Sequence, residues 1–446
     1  MMATGRTTDQ MSIGPISTTD DFGAETARPP ANPVVVALGW LLVIISVAVY
    51  AVVGHIAENV RLFQAAYLVG FAGFAMLVHS VWHRNPSGSW PLWFAGCLAI
   101  RLALLHTPPS DDLYRYLWEG LVQAAGHNPF LLAPDDPALA TLRDQNWQHI
   151  NHRDYTAIYP PLAQLQFFAV ARVSPNLLGI KLLYVLFDVF AVWLLAEWLK
   201  RVQKPPHLAI VYALCPITIT AVAIEGHLDS AMIAMLAAAG LADARRRPYL
   251  CAACLAAAVL TKVVPIFLLP WLARKNIKAA IFAVALILAG YLPYLEAGPA
   301  LFHSLIRWPR GNEMLSLGHG MAMKILEPDA SRVVCVLIII AVALWQARRP
   351  EPLGRVLLPV FGACILFMPI VHYWYLTWVL LALSFSLRVS WLVLCATMVF
   401  YFEATLQESL AGAWNMPRWV SYATYTPFVI VAAAECVVTR SQRLAR

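Results

Sequence analysis

Apolar residues run in long blocks along this chain, separated by short polar and basic segments. Twelve blocks approach the roughly 17–25 residues that a membrane-spanning helix needs. They cover 34–54, 62–82, 90–106, 178–199, 207–224, 228–242, 277–295, 333–347, 353–371, 373–387, 389–402 and 422–438. A further apolar run, 249–272, is interrupted by Lys262, Pro265 and Pro270.

Basic clusters orient these blocks. They stand at 200–204, 245–247, 274–278, 347–349, at Arg388 and at 440–446. Lys and Arg collect on the cytoplasmic side, so this pattern predicts both termini inside. The run between 247 and 274 must then return to the side it left. It reads as a broken helical hairpin, whose backbone has to be buried in protein. Two large outer loops follow, 106–177 and 296–332. Within the first, 159–174 looks apolar enough to span, but it carries Gln164, Gln166 and Arg172, and spanning would put the 200–204 cluster outside. It is therefore expected as an interfacial helix on the outer face. Residues 1–33 are polar and read as a disordered cytoplasmic tail. Residues 34–446 read as one transmembrane domain.

Composition agrees. Of 446 residues, 60% are hydrophobic and 13% charged, against about 25% charged in soluble domains. A set of soluble domains is excluded; the expected fold is an all-α polytopic membrane protein of about 12 spans. The net charge of +7 sits in short inter-span clusters, so a nucleic-acid partner is set aside in favour of the lipid bilayer. The eight cysteines fall in apolar segments and none in the outer loops, which argues against a disulfide-braced outer domain. Cys251 and Cys254 read as small residues on one helix face. There is no phosphate-loop, dinucleotide or H-E-x-x-H motif, so no ATP engine is expected. Energy must come from an activated substrate or a gradient.

The acidic residues concentrate in the outer loops. The densest stretch is SDDLYRYLWEG, 110–120. Asp111 and Asp112 open a short helix there, where carboxylates also serve as caps. At a membrane–water boundary either one could take a proton from an acceptor hydroxyl. Tyr114, Arg115 and Trp118 recur in the same helix and offer a cation and stacking rings. EGHLD packs Glu225, His227 and Asp229 into a tight membrane-face turn, which is costly unless hydrated or functional. HYWY brings His372, Trp374 and Tyr375 to another outer corner. Arg307 and Arg310 lie outside, against the charge trend, and invite a lipid headgroup or a substrate phosphate. Asp188 and Lys262 lie inside apolar runs and are functional candidates by default; they also read as partners of each other, or of Lys181.

Taken in order, SDDLYRYLWEG, GHNPF (126–130), IYPPLAQ (158–164), EGHLD, TKVVPIFLLP (261–270) and HYWYLTW resemble the GT-C glycosyltransferases. The likeness is closest to bacterial polyprenyl-phosphate-mannose-dependent mannosyltransferases and covers about 90–375. It implies an inverting transferase whose site faces outward and whose donor is a polyprenyl phosphate hexose, with mannose favoured. By the resemblance Asp112 is preferred to Asp111 as base. His372 and Arg310, with Arg307 and Arg115, become candidates for holding the donor phosphate. Tyr114, Trp118, Tyr159, Glu225, His227, Asp229, Trp374 and Tyr375 become candidates for lining the sugar or acceptor pocket. The acceptor is a glycan or lipid hydroxyl. No cofactor or metal site is assigned, although a divalent ion is compatible with Asp111 and Asp112. Glu119 and Glu225 depart from the family pattern. Two alternatives stay open: a lipid-linked glycan transporter or flippase using Asp188 and Lys262, and an outer-face glycan ligase.

Overall fold

The computed structural model describes residues 29–85, 88–311, 313–349, 351–411 and 414–444. Nearly all of the expected polar tail lies outside the described residues.

Among the described residues the regular structure is all helical, apart from two isolated bridges. Six helices are long and apolar enough to cross a membrane: α1 (Pro33–Val53), α2 (Val60–His83), α6 (Leu177–Arg201), α15 (Pro328–Ala347), α18 (Val389–Ala411) and α19 (Arg418–Val438, continuing to Leu444). Two bent pairs raise the number to eight: α7 (Pro206–Ala213) with α8 (Pro216–Ile224), bent by 58°, and α12 (Ile277–Gly290) with α13 (Leu292–Arg310), bent by 87°. The shorter apolar helices are α3 (Trp90–Leu104), α10 (Pro248–Thr261), α16 (Leu353–Phe367) and α17 (Tyr373–Leu383). This is the architecture of an all-α membrane protein, with six to eight candidate spans where the sequence suggested about twelve. The difference has a physical cause. Apolar content marks a segment as buried, but in a bundle this large several such segments are only 14–16 residues long (α9, Asp229–Ala244; α10) and are enclosed by other helices.

Local signals place the helix starts. Asn32 caps α1 by accepting from Val34 N at 2.9 Å. Asn176 caps α6 through Gly179 N at 2.8 Å, and Asn276 caps α12 through Ala279 N at 3.0 Å. Each cap satisfies one of the orphan N–H groups of a first turn. α1 and α2 approach through small residues: a Cβ on Gly73 would stand 2.6 Å from the Gly39 carbonyl oxygen. Small residues allow such contact between apolar helices.

The middle of the molecule is α7, α8, α9 and α17, whose apolar side chains are almost wholly buried. Helices apolar all round belong in such a position. The outer helices α1, α12, α15 and α19 expose Val34, Ile44, Ile281, Leu288, Val333, Leu337 and Ile430 instead, as a lipid-facing coat requires. The interrupted run 249–272 is a broken hairpin: α10 stops at Thr261, and the chain turns through Lys262 into the short α11 (Leu269–Lys275). The stretch expected as an interfacial helix forms α5 (Pro161–Val173), packed on α4 (Asp112–Ala124). Where 296–332 was expected as loop, helix α13 runs on to Arg310, and a short helix α14 (Gly318–Ala322) follows before α15. All eight cysteines are free.

The intramembrane charges pair differently from expectation. Asp188 and Lys262 do not meet. Asp188 Oδ2 accepts from Arg101 Nε of α3 at 2.8 Å, and its Oδ1 accepts from the Tyr212 hydroxyl of α7 at 2.6 Å. Lys262 Nζ is 2.8 Å and 2.9 Å from the two oxygens of Asp229. Lys181 Nζ donates to the carbonyls of Leu104 and Thr107, at 3.1 Å and 2.6 Å, closing the end of α3. The residues that a midplane transport path would use are thus tied up in structural pairs.

Candidate active site

Two sequence motifs meet through backbone before any side chain is considered. Ser110 N donates to Glu225 O at 3.1 Å, which fixes the start of α4 beside the end of α8. The last six residues of α8, Ile219–Ile224, form a π-helical turn, a widened geometry often found at functional sites. Gly226 follows at φ +79°, and a Cβ there would stand 2.9 Å from Leu113. This backbone, open to glycine, swings His227 across the top of α4.

Asp112 lies at the centre of the cluster. Its Oδ2 accepts from the Tyr116 hydroxyl, one helical turn on, at 3.3 Å. His227 Nδ1 faces the same oxygen at 3.3 Å. Its Oδ1 accepts from Asn151 Nδ2 at 3.2 Å, and that amide also donates to Asp111 Oδ2 at 2.9 Å. The Tyr116 hydroxyl is 3.3 Å from that of Tyr159. His227, fully buried, has Nε2 2.9 Å from Glu225 Oε2; the Tyr373 hydroxyl donates to the same oxygen. The His227 ring stacks on Trp374 with centroids 3.9 Å apart and planes 16° off parallel, and His372 stacks on Trp374 at 4.1 Å and 15°. Two rings that close to one indole must cover opposite faces. His372 Nδ1 is 2.9 Å from the Tyr401 hydroxyl.

These surroundings divide the charges. Burial works against charge on Asp112, but the hydrogen bonds and charge of His227 and the Asn151 amide outweigh it and hold the carboxyl well below its usual range. Asp111, at the mouth of the cleft, is pushed up to about 6 by desolvation first and by the Asp112 charge second. His227 is opposed by burial, yet its bonds to Asp112 and Glu225 raise it to about 9. His372 is driven down to about 3, chiefly by burial, against the pull of Asp112. One indole therefore separates a charged imidazole from a neutral one. Buried Glu119 is raised by desolvation, against Arg115 and Gln164.

The structure brings Asp111, Asp112, Tyr159, Glu225, His227, His372 and Trp374 together. The other expected site residues lie around this group or apart from it. Asp229 is 1% exposed and is held by Lys262 and by Trp378 Nε1, at 2.5 Å. Tyr375 stacks on Trp378 at 4.5 Å and lies 4.4 Å from Lys262 Nζ. Arg115 is buried and donates to the carbonyls of His152 and Tyr155, both at 2.9 Å, so it braces the loop. Trp118 is 3% exposed and packs with Val122, Leu139 and Ile150. Tyr114 sits 5.1 Å from the His149 ring. Arg307 pairs with Asp154 at 2.5 Å, and Arg310 is exposed, 3.9 Å from Asp329. Neither arginine makes a described contact with the Asp112 cluster.

Asn151, Tyr116, Tyr373 and Tyr401 were not anticipated. Tyr116 was legible, four residues after Asp112 and hence on the same helix face. Asn151 sits in an irregular loop and Tyr401 in an apolar run, with no local signature; Tyr373 lies inside the HYWY motif, between the candidate residues His372 and Trp374. Among the described residues no group of three or more His, Cys, Asp or Glu is placed to hold a metal ion.

Residues 33–277 match a family model, MptA/B, described as alpha-(1->6)-mannopyranosyltransferase, N-terminal domain. No curated protein matches the chain. The matched span contains Asp111, Asp112, Tyr159, Glu225 and His227; His372, Trp374 and Tyr401 come from beyond it.

Proposed function

This chain belongs to the MptA/B alpha-(1->6)-mannopyranosyltransferase family and is a glycosyltransferase; on that premise we propose that it moves a mannosyl residue from a polyprenyl phosphate to an acceptor hydroxyl, with inversion, at the extracytoplasmic face of a bacterial plasma membrane. The observation that carries the reading is Asp112: an ionised carboxylate at the rim of an apolar helix bundle, ringed by donors and aromatic rings.

In the reaction the acceptor hydroxyl gives its proton to Asp112 as its oxygen bonds to the anomeric carbon. The bond from that carbon to the phosphate oxygen breaks on the opposite face, and its electron pair leaves with the lipid phosphate. One displacement needs one carboxylate base, unlike hydrolysis by paired acids. An alpha product by a single inversion requires a donor whose mannose is β-linked to phosphate. His372, neutral and bonded to Tyr401 through Nδ1, offers its Nε2–H to a phosphate oxygen. In this reading Arg307 and Arg310 of the outer helix α13 exchange Asp154 and Asp329 for the same anion when the donor binds. Trp374 and Tyr159 give the sugar apolar walls. Asp111, pushed up to about 6, is half-protonated near that pH and is the poorer candidate for base.

The basic clusters at 245–247 and 274–278 lie at the end of the bundle away from Asp112. α9 runs from Asp229 at the site to Ala244 beside Arg245–Arg247, about 24 Å at 1.5 Å per residue. With the positive-inside rule this supports an outward-facing site and cytoplasmic basic turns. The test is Asp112→Asn in purified protein given a polyprenyl phosphate β-mannose and a synthetic alkyl alpha-mannoside. Transfer should be abolished with folding intact. Full activity in the variant, or preference for another sugar in a panel of polyprenyl phosphate donors, would overturn the base or the donor respectively.

A further inference from the structure

Both ring nitrogens of His227 face carboxylates: Nε2 is 2.9 Å from Glu225, and Nδ1 is 3.3 Å from Asp112. A neutral imidazole has one N–H and one lone pair. With the proton on Nδ1, the Nε2 lone pair would point at Glu225 Oε2 from 2.9 Å; with the proton on Nε2, Nδ1 would lie 3.3 Å from Asp112 Oδ2, fully buried and without a hydrogen bond. The imidazolium alone is attracted to both carboxylates, by a hydrogen bond to Glu225 and by charge to Asp112. The face of Trp374 at 3.9 Å adds a further preference for the cation. Glu225 is in turn fixed by the Tyr373 hydroxyl and by the Ser110 N–H on its carbonyl.

We propose that Glu225, His227 and Asp112 form a carboxylate–imidazolium–carboxylate clamp in which His227 is the positioning residue of the transferase, holding Asp112 ionised and oriented for the acceptor. This rests on the reading of Asp112 as base. The clamp also selects the oxygen that reacts. A carboxylate oxygen accepts at about two sites. Oδ2 accepts from Tyr116 and is covered by the charged edge of His227 at 3.3 Å, whereas Oδ1 receives only Asn151. The acceptor proton therefore goes to Oδ1. A carboxylate so stabilised is a weak base. That suits a displacement in which the sugar–phosphate bond breaks ahead of proton transfer, since the hydroxyl becomes acidic only as it bonds to carbon. The same cation then makes protonated Asp112 acidic and resets it for the next turnover.

Other ionisable groups face this pair. Asp111, Tyr116 and Glu119 do so from α4, and His152 and Tyr159 from the loop that follows. His372, Tyr373, Tyr375 and Tyr401 do so from the aromatic corner; Lys181 faces Glu225 from α6, and Lys262 faces His372 from the turn after α10. His372 is pushed down by burial, and Tyr116 and Tyr159 keep their protons at ordinary pH, so His227 is the cation in contact with Asp112. In the intact enzyme kcat should be level through neutrality and fall as His227, raised to about 9, loses its proton.

The experiment measures kcat and donor KM against pH for the full-length protein in lipid nanodiscs, using polyprenyl phosphate β-mannose and an alkyl alpha-mannoside. In His227→Gln, kcat should drop ten- to a hundredfold with donor KM within twofold. Its alkaline limb should vanish, and an acid limb should appear at about pH 4–6 as Asp112 returns toward an ordinary or desolvated carboxyl. In Glu225→Gln, which keeps a hydrogen-bond acceptor, the alkaline limb should move to lower pH. Unchanged limbs in both variants, or a loss of kcat matched by a rise in KM with the profile preserved, would overturn the clamp. Asp112→Asn run alongside separates the two ideas: an inactive Asp112→Asn with unshifted His227 and Glu225 variants removes only the clamp, while an active Asp112→Asn removes the base itself.

Discussion

Replacing Asp188 by alanine should strongly destabilise the bundle. Arg101 and Asp188 are 1% and 0% exposed. The carboxylate joins three elements: α6 that carries it, α3 through Arg101, and α7 through Tyr212. Arg101 keeps only the Ala213 carbonyl, 2.7 Å from Nη1, when Asp188 is gone. Stranding one member of a buried ion pair costs about 3–5 kcal/mol. The Tyr212 hydroxyl loses its acceptor as well, at about 1–3 kcal/mol. Both losses pass through one carboxylate and do not add in full. An overall loss of about 4 kcal/mol, roughly a thousandfold in the folded-to-unfolded ratio, is expected. The assay is reversible unfolding in mixed micelles titrated with sodium dodecyl sulfate, followed by tryptophan fluorescence. The control is Arg101→Met with Asp188→Leu. Removing both charges together leaves no orphan, so most of the loss should be recovered. If Asp188→Ala is as stable as the parent, or if the double variant is as damaged as the single one, the pair is not what holds α3, α6 and α7 together. An Asp188→Ala protein of full stability and no turnover would instead make Asp188 part of the chemistry.

Two further predictions concern the scaffold of the site. Gly120→Ala would put a Cβ 2.3 Å from the Phe167 carbonyl oxygen, so α4 must shift away from α5. A displacement of about 1 Å at Asp112 costs on the order of a hundredfold in rate; transfer assays should show this in kcat, and a variant within twofold of the parent would refute it. Lys262→Met leaves Asp229 buried with only the Trp378 indole, for a loss of about 3–5 kcal/mol. Lys262→Arg should recover part of it in the same micelle titration, and equal loss in both variants would show that Lys262 matters for its shape rather than its charge.

Much of the site was legible as separate local motifs. Adjacent aspartates opening a helix, three polar groups in a five-residue turn and a histidine amid aromatic rings each stand out against apolar surroundings. The partners that define their chemistry were less so. Asn151 gives Asp111 and Asp112 a shared donor, yet a single asparagine in an irregular loop carries no pattern. Arg101 lies in an apolar run with nothing beside it to mark it, whereas Lys262 and Lys181 are the partners the sequence offers Asp188. Sequence spacing ranks partners within a helix, but partners between helices depend on which faces meet. Arg307 and Arg310 show the reverse: unusual by the charge rule, they pair at the surface with Asp154 and Asp329.

What the sequence by itself determined is the class of molecule, because long apolar blocks with scarce charge have only helices in lipid as a stable outcome. It also determined which turns carry acids and which carry bases. The tertiary structure alone decided how many blocks are long enough to span and which are enclosed within the bundle. It alone decided that Asp188 meets Arg101, and that the surroundings push the two imidazoles of the site in opposite directions. Those outcomes depend on helix crossings and on burial by residues hundreds of positions away, and a side chain's charge state follows from such neighbours rather than from its place in the chain.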